Sequence, residues 1–177
     1  MILEKKNIIL VGMTGVGKTT VGRSLSKILR RSFIDIDLEI EKSSGLRVSD
    51  IFENYGEVKF RNIEKKILFH TLETEENSVI STGAGILTND EVIQMIKKKS
   101  ISIFLEIKTF NLLYRLKNNL KNRPMLQKGD LETNLHEMHE KRIRGYEKAD
   151  LKISVDGLTL TDIVKRIIHK LKYYEKY

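Results

Sequence analysis

The sequence predicts an α/β protein, an open and wholly parallel sheet wound with helices on both faces. Three observations carry this. Apolar runs alternate with helical patterns along the chain. Several runs are continuously apolar, which suits strands covered on both faces. The first run leads into a glycine-rich loop and then a helix, the order a phosphate-binding loop requires. At 177 residues the chain is long enough for one domain, residues 1–177, with a single sizeable core.

Strands are expected at Asn7–Val11, Ser32–Asp35, Ser78–Ser81, Ile101–Leu105 and Leu151–Ser154. The helix after the loop runs from Lys18 to Leu29, with Val21, Leu25, Ile28 and Leu29 on one face. Asp50 to Thr71 carries Ile51, Phe52, Tyr55, Val58, Ile63, Ile67 and Leu68 at helical spacing, with a break at Gly56. Thr88, with Glu91 three residues on, reads as a capping box for a segment through Lys97. Leu131 to Tyr146 and Thr159 to Tyr174 are the last two helices. Five strands joined by helical crossovers give a doubly wound sheet. The segment Lys117–Asp130 is basic and polar and holds the only proline, Pro124. In a phosphate-binding fold such an insertion is a candidate lid; an ordinary surface loop is the alternative.

Composition narrows the function. Lys and Arg outnumber Asp and Glu by 32 to 24, a net charge of +8. The excess suits small anionic substrates as well as nucleic acid, but no aromatic-rich binding motif accompanies it. Lys97-Lys98-Lys99 and the Lys-rich C-terminal segment read as solvated surface. With no Cys, disulfides and Cys-based metal sites are excluded. His136 and His139 are three apart on a helix without an acidic cluster, and read as surface residues. No apolar run reaches about 18 residues and no signal-peptide pattern is present. A cytoplasmic, monomeric protein that engages neither membrane nor nucleic acid is expected.

The chemistry begins at Gly12-Met13-Thr14-Gly15-Val16-Gly17-Lys18-Thr19. Its glycines admit left-handed backbone, so the loop can wrap a polyphosphate with its amides inward. The following helix offers free N–H groups and the positive end of its dipole to the same anion. Lys18 can reach the β- and γ-phosphates, and Thr19 supplies a hydroxyl for Mg²⁺. Gly15, Val16, Gly17 and Thr20 complete the expected nucleotide-phosphate contacts.

Ligands in open parallel sheets bind beyond the carboxyl ends of the strands, and five further features fall at that edge. Asp35-Ile36-Asp37 ends the second strand. If strand geometry persists, both carboxylates lie on one side, one to serve a metal and the other to accept a hydroxyl proton. The alternative is a helix N-terminus decorated with acids. Arg61, in Phe60-Arg61-Asn62-Ile63-Glu64, can bind a substrate anion or pair with Glu64, and both roles are compatible. Ser81-Thr82-Gly83-Ala84-Gly85 marks either close approach of backbone to a ligand or a tight turn. Arg123-Pro124-Met125-Leu126 lies in the candidate lid. Arg142, with Tyr146 one turn later, follows it.

Taken in order, these landmarks resemble the shikimate kinase family, within the nucleoside-monophosphate-kinase-like P-loop group, from Asn7 to about Lys170. The resemblance implies a three-layer α/β/α P-loop kinase fold with strand order 2-3-1-4-5, a mobile lid near 117–130 and an acceptor-binding helical segment near 36–69. It implies ATP as donor, Mg²⁺, and transfer of the γ-phosphoryl to the 3-hydroxyl of shikimate. By position, Asp37 resembles the residue that binds the reacting hydroxyl and acts as base. Arg61 and Arg142 resemble the carboxylate clamp, and Gly83 and Gly85 the substrate-binding turn. Asp35 resembles the acid that, with Thr19, holds Mg²⁺. Arg123 resembles the lid arginine that reaches the phosphates, and Arg115 falls near the one that stacks on adenine.

Three departures stand out. Ala84 replaces the middle glycine of the family's turn. If that position needs φ > 0, Ala costs roughly 1 kcal/mol, and its methyl would narrow the pocket. Ile143-Arg144-Gly145 lacks the usual proline, which makes Arg144 a competitor for the role given to Arg142. Met125 stands where leucine is common, a volume-conserving change. A gluconate-kinase-like enzyme, a nucleotide kinase and a silent nucleotide-binding module are the rival readings.

Overall fold

The computed structural model describes residues 6–117 and 130–174. Five strands form one wholly parallel sheet: β1 (Asn7–Val11), β2 (Ser32–Asp35), β3 (Ser78–Ser81), β4 (Ser100–Glu106) and β5 (Leu151–Ser154), in the order β2-β3-β1-β4-β5. The helices are α1 (Lys18–Leu29), α2 (Ile36–Ser44), α3 (Val48–Thr74), α4 (Asp90–Lys99), α5 (Thr109–Leu116), α6 (Leu131–Tyr146) and α7 (Leu160–Tyr174). A 3₁₀ turn, Ile86–Thr88, precedes α4.

The central strands are apolar on both faces because both faces are covered. All of β1 and β3 is buried, and β4 is buried from Ser100 to Leu105. Helix α1 packs against β3 and α7, α2 against α3, α3 against α4, and α5 against α6. Buried polar side chains stitch the sheet ends. Asn7 donates to the Glu75 carbonyl at 2.6 Å and accepts from the Ser78 amide at 2.9 Å. Asp150 accepts from the Ser102 amide at 2.8 Å and hydroxyl at 2.6 Å, fixing the start of β5 beside β4. Among the described residues no helix is long and apolar enough to cross a membrane.

Four local readings change. Strand geometry does not persist through Asp35-Ile36-Asp37: Asp35 caps α2, its side chain accepting from the Asp37 amide. The cap of α4 is Asn89, not Thr88. The Asn89 side chain accepts from the Glu91 and Val92 amides, whereas the Thr88 hydroxyl donates back to the Gly85 carbonyl at 2.8 Å. Helix α3 extends the expected Asp50–Thr71 segment at both ends, and Gly56 breaks it as expected, at φ 76° and ψ 171°. Finally, β4 is one residue longer at each end than the apolar run Ile101–Leu105.

Candidate active site

The phosphate-binding loop connects β1 to α1 in an open, strained-for-L conformation that glycine makes accessible. Gly12, Gly15 and Gly17 have φ of 141°, 79° and 106°. A Cβ on Gly12 would also sit 2.6 Å from the Leu105 carbonyl oxygen. Lys18 is buried, and its ammonium donates to the Gly12 and Met13 carbonyls at 2.8 and 3.0 Å. Thr14, Gly15, Gly17, Lys18, Thr19 and Thr20 line a cavity of about 450 Å³, together with Asp37 and the segment Ser81–Ala84. Val16 is not part of that lining. Its side chain is buried in the core and its amide donates to the Met13 carbonyl at 3.3 Å.

Two hard oxygen donors meet beside the loop. The Thr19 hydroxyl donates to Asp35 Oδ2 at 2.7 Å and lies 3.4 Å from the Ser81 hydroxyl. A hydroxyl and a carboxylate next to a phosphate cradle suit Mg²⁺, which keeps most of its water and takes few protein ligands. The described residues hold no cluster of three or more His, Cys, Asp or Glu.

A second cavity, of about 310 Å³, opens beside the first, between α3 and α6. Arg61, Gly85 and Arg142 line it, with Glu57, Thr88 and Lys141 further out. Arg142 is buried, while Arg144 is exposed and absent from the lining, so the cavity selects Arg142 over its sequence neighbour. Tyr146, one turn beyond Arg142, is buried. Its ring stacks on Phe104 with centroids 5.0 Å apart, and its hydroxyl donates to the Ala84 carbonyl. Burial pushes the Tyr146 phenol up to about 12.

The turn Gly83-Ala84-Gly85 joins the cavities, and space rather than φ bears on its glycines. None of the three has positive φ, so Ala84 carries no backbone penalty. A Cβ on Gly83 would overlap Glu64 Oε1, and one on Gly85 would overlap the Arg61 guanidinium.

The residue that sequence reasoning treated only as a pairing partner is Glu64. Its side chain is 1% exposed and accepts from Arg61 Nη1 at 2.6 Å through Oε2. Its other oxygen and Asp37 Oδ1 are both buried without a hydrogen-bond partner. Asp37 is half-buried overall, with Oδ1 turned inward. Burial, with the Glu64 and Asp35 carboxylates adding to it, pushes the Asp37 carboxyl up to about 7 against the pull of Lys18 and Arg61. Burial also raises Glu64 above the usual carboxylate range, against Arg61. Burial opposes the charge of Arg61, but Glu64 and Glu57 outweigh it and hold the guanidinium protonated. Arg142 is lowered by burial and by the neighbouring Arg61.

Arg115, on α5, reaches the outside of the loop and donates to the Val16 carbonyl at 3.3 Å. Arg123 and all but the two ends of the candidate lid lie outside the described residues. The signal that could have found Glu64 is the Phe60-Arg61-x-x-Glu64 spacing read together with two glycines in one turn.

A P-loop cavity that holds an Asp and meets an arginine-lined cavity at a glycine turn defines a phosphotransferase for a small anionic acceptor. The family model "Shikimate kinase" matches residues 14–172. The shikimate kinase of Pelotomaculum thermopropionicum is 41% identical over 94% of this chain and 96% of its own length. The chain belongs to the shikimate kinase family. A solved shikimate kinase from Acinetobacter baumannii, in complex with shikimate, superposes with a TM-score of 0.89 at 34% identity, covering 96% of this chain and 94% of that one. The enzyme from Aquifex aeolicus gives 0.81 at 35% identity over 94% and 96%. A gluconokinase from Sinorhizobium meliloti gives 0.59 at 17% identity, a likeness of fold alone.

Proposed function

We infer that the chain transfers the γ-phosphoryl group of ATP to the 3-hydroxyl of shikimate, yielding shikimate 3-phosphate and ADP on the route to chorismate and the aromatic amino acids. The observation that carries this reading is the Gly83–Gly85 turn. Gly83 lines the phosphate-loop cavity with Asp37, and Gly85 lines the neighbouring cavity with the paired arginines Arg61 and Arg142. The gluconate-kinase-like and silent-module readings are not favoured by the relatives.

Phosphoryl transfer demands positioning and charge stabilisation more than covalent chemistry. The amides of Gly15 and Gly17 and the first turn of α1, with Thr20, cradle the phosphates. Lys18 exchanges its carbonyl contacts for phosphate oxygens. Thr19 and Asp35 would hold Mg²⁺, which when bound neutralises phosphate charge. Arg61 and Arg142 grip the acceptor carboxylate while Gly83 and Gly85 let the ring lie against backbone. Asp37 orients the hydroxyl in line and takes its proton. Arg123 would offset charge on the transferring group, and Arg115 borders the nucleotide. The enzyme works as a cytoplasmic monomer.

A coupled ADP-release assay with shikimate, gluconate and nucleoside monophosphates tests the assignment. Turnover with shikimate alone is expected. Turnover with gluconate or a nucleotide instead would reassign the acceptor, and turnover with none would leave a nucleotide-binding module. In the same assay Arg61→Ala should raise KM for the acid with little effect on KM for ATP; an equal loss for ATP would remove the clamp role.

A further inference from the structure

Arg61 is fully engaged on one edge before any acceptor arrives. Its Nε and Nη2 both donate to Glu57 Oε1, at 3.2 and 3.1 Å, while Nη1 donates to Glu64 Oε2 at 2.6 Å. The two carboxylates differ in one decisive respect. Glu64 is 1% exposed and sits under Gly83, so it cannot leave; the Glu57 side chain is 46% exposed and faces water. The Nε/Nη2 edge is the parallel pair of donors that grips a carboxylate in two-point fashion. Glu57 lines the same cavity as Arg61 and Arg142, and its charge is felt by both arginines.

The backbone makes Glu57 separable from the helix before it. Gly56 leaves helical geometry at φ 76° and ψ 171°, with nothing within 4 Å of where a Cβ would be. Glu57 thus opens the second segment of α3, where free N–H groups and the dipole favour a negative charge. A carboxylate released from Arg61 there returns to water beside a stabilising helix end, at small cost for an exposed group.

We propose that Glu57 is an internal stand-in for the substrate carboxylate: it occupies the two-point edge of Arg61 in the free enzyme and is displaced by the acid on binding. Glu64 then sets where Arg61 points, and Glu57 sets how strongly a carboxylate must bind to take its place. The device keeps a half-buried guanidinium paired in the free enzyme and raises the threshold for adventitious anions. This rests on the assignment of shikimate as acceptor.

The test is calorimetric titration of shikimate into the full chain, wild type against Glu57→Gln, with the melting temperature of each checked. Loss of the competing charge should tighten shikimate binding about two- to fivefold, the scale of a partly exposed ion pair. Glu57→Ala, which deletes the carboxylate, should move the constant the same way, and KM for shikimate should fall with it. A residue that merely props Arg61 predicts the opposite sign, so equal or weaker binding in both variants overturns the proposal. Shikimate binding by neither the wild type nor the variants would remove the acceptor assignment, and the exchange with it.

Discussion

At the scale of single residues, Asp37 sets a conflict between stability and chemistry. In the unfolded chain its carboxyl titrates near the ordinary aspartate value of 3.8; in the fold burial and two carboxylate neighbours raise it to about 7. Between those values the folded state holds the extra proton, so this group's contribution to stability is complete below about pH 4 and is lost as pH rises through about 7. Asp37→Asn should therefore raise the melting temperature of the free, metal-free enzyme at pH 8, with the gain fading by pH 4; scanning calorimetry at both pH values reads it, and a pH-independent effect would contradict the buried titration. The same variant should lower kcat by roughly 10²–10⁴-fold, the usual worth of a general base. Around it the glycine turn divides sharply. Gly83→Ala and Gly85→Ala put a methyl against the ends of the Glu64 and Arg61 side chains, which must move aside, so the change falls on the clamp more than on stability. KM for the acid should rise in both, whereas Ala84→Gly should be nearly silent because that position has no positive φ.

At the scale of elements, legibility follows how much of an element's signal is local. The central strands are readable because burial on both faces writes itself as an uninterrupted apolar run, as in Ile8 to Val11. Helices α2 and α5 were not distinguished, since nine and eight residues hold too few turns for periodicity to stand out. Gly56 was legible as a break because a φ of 76° selects glycine. The start of α4 was misplaced by one residue because Thr88 and Glu91 have capping-box spacing, yet the Thr88 hydroxyl is taken by the preceding 3₁₀ turn. In the site, the gathering of Lys18, Asp37, Arg61 and Arg142 around two neighbouring cavities is legible through motif spacing. Glu64 was not, because a Glu on a charged helix reads as solvated until the β3 turn covers it. Asn89→Ala should accordingly destabilise the fold by about 1 kcal/mol in urea unfolding, the worth of an N-cap. A larger effect from Thr88→Ala than from Asn89→Ala would restore the capping box.

At the scale of the whole molecule, the site is a seam between bodies that fold for other reasons. The loop hangs from β1, Asp37 from the start of α2, Arg61 from α3, the glycine turn from β3 and Arg142 from α6. Parallel strands bring all of these to one edge of the sheet, so ligands that bridge them bind the folded state and not the unfolded chain. Such binding stabilises by mass action. ADP at about a hundred times its dissociation constant contributes about 2.7 kcal/mol. For a chain of this size that corresponds to a rise of roughly 5–11 °C in melting temperature. Shikimate at the same relative saturation should give a rise of the same order, because the relation depends on saturation and not on the ligand's size. The two responses should separate by cavity. Lys18→Ala should abolish the ADP shift and leave most of the shikimate shift, since Lys18 lines the loop cavity and not the arginine cavity. Arg142→Ala should do the reverse. Loss of both shifts in either variant would mean that the two cavities fold as one unit, and that the turn from Gly83 to Gly85 transmits binding as well as permitting it.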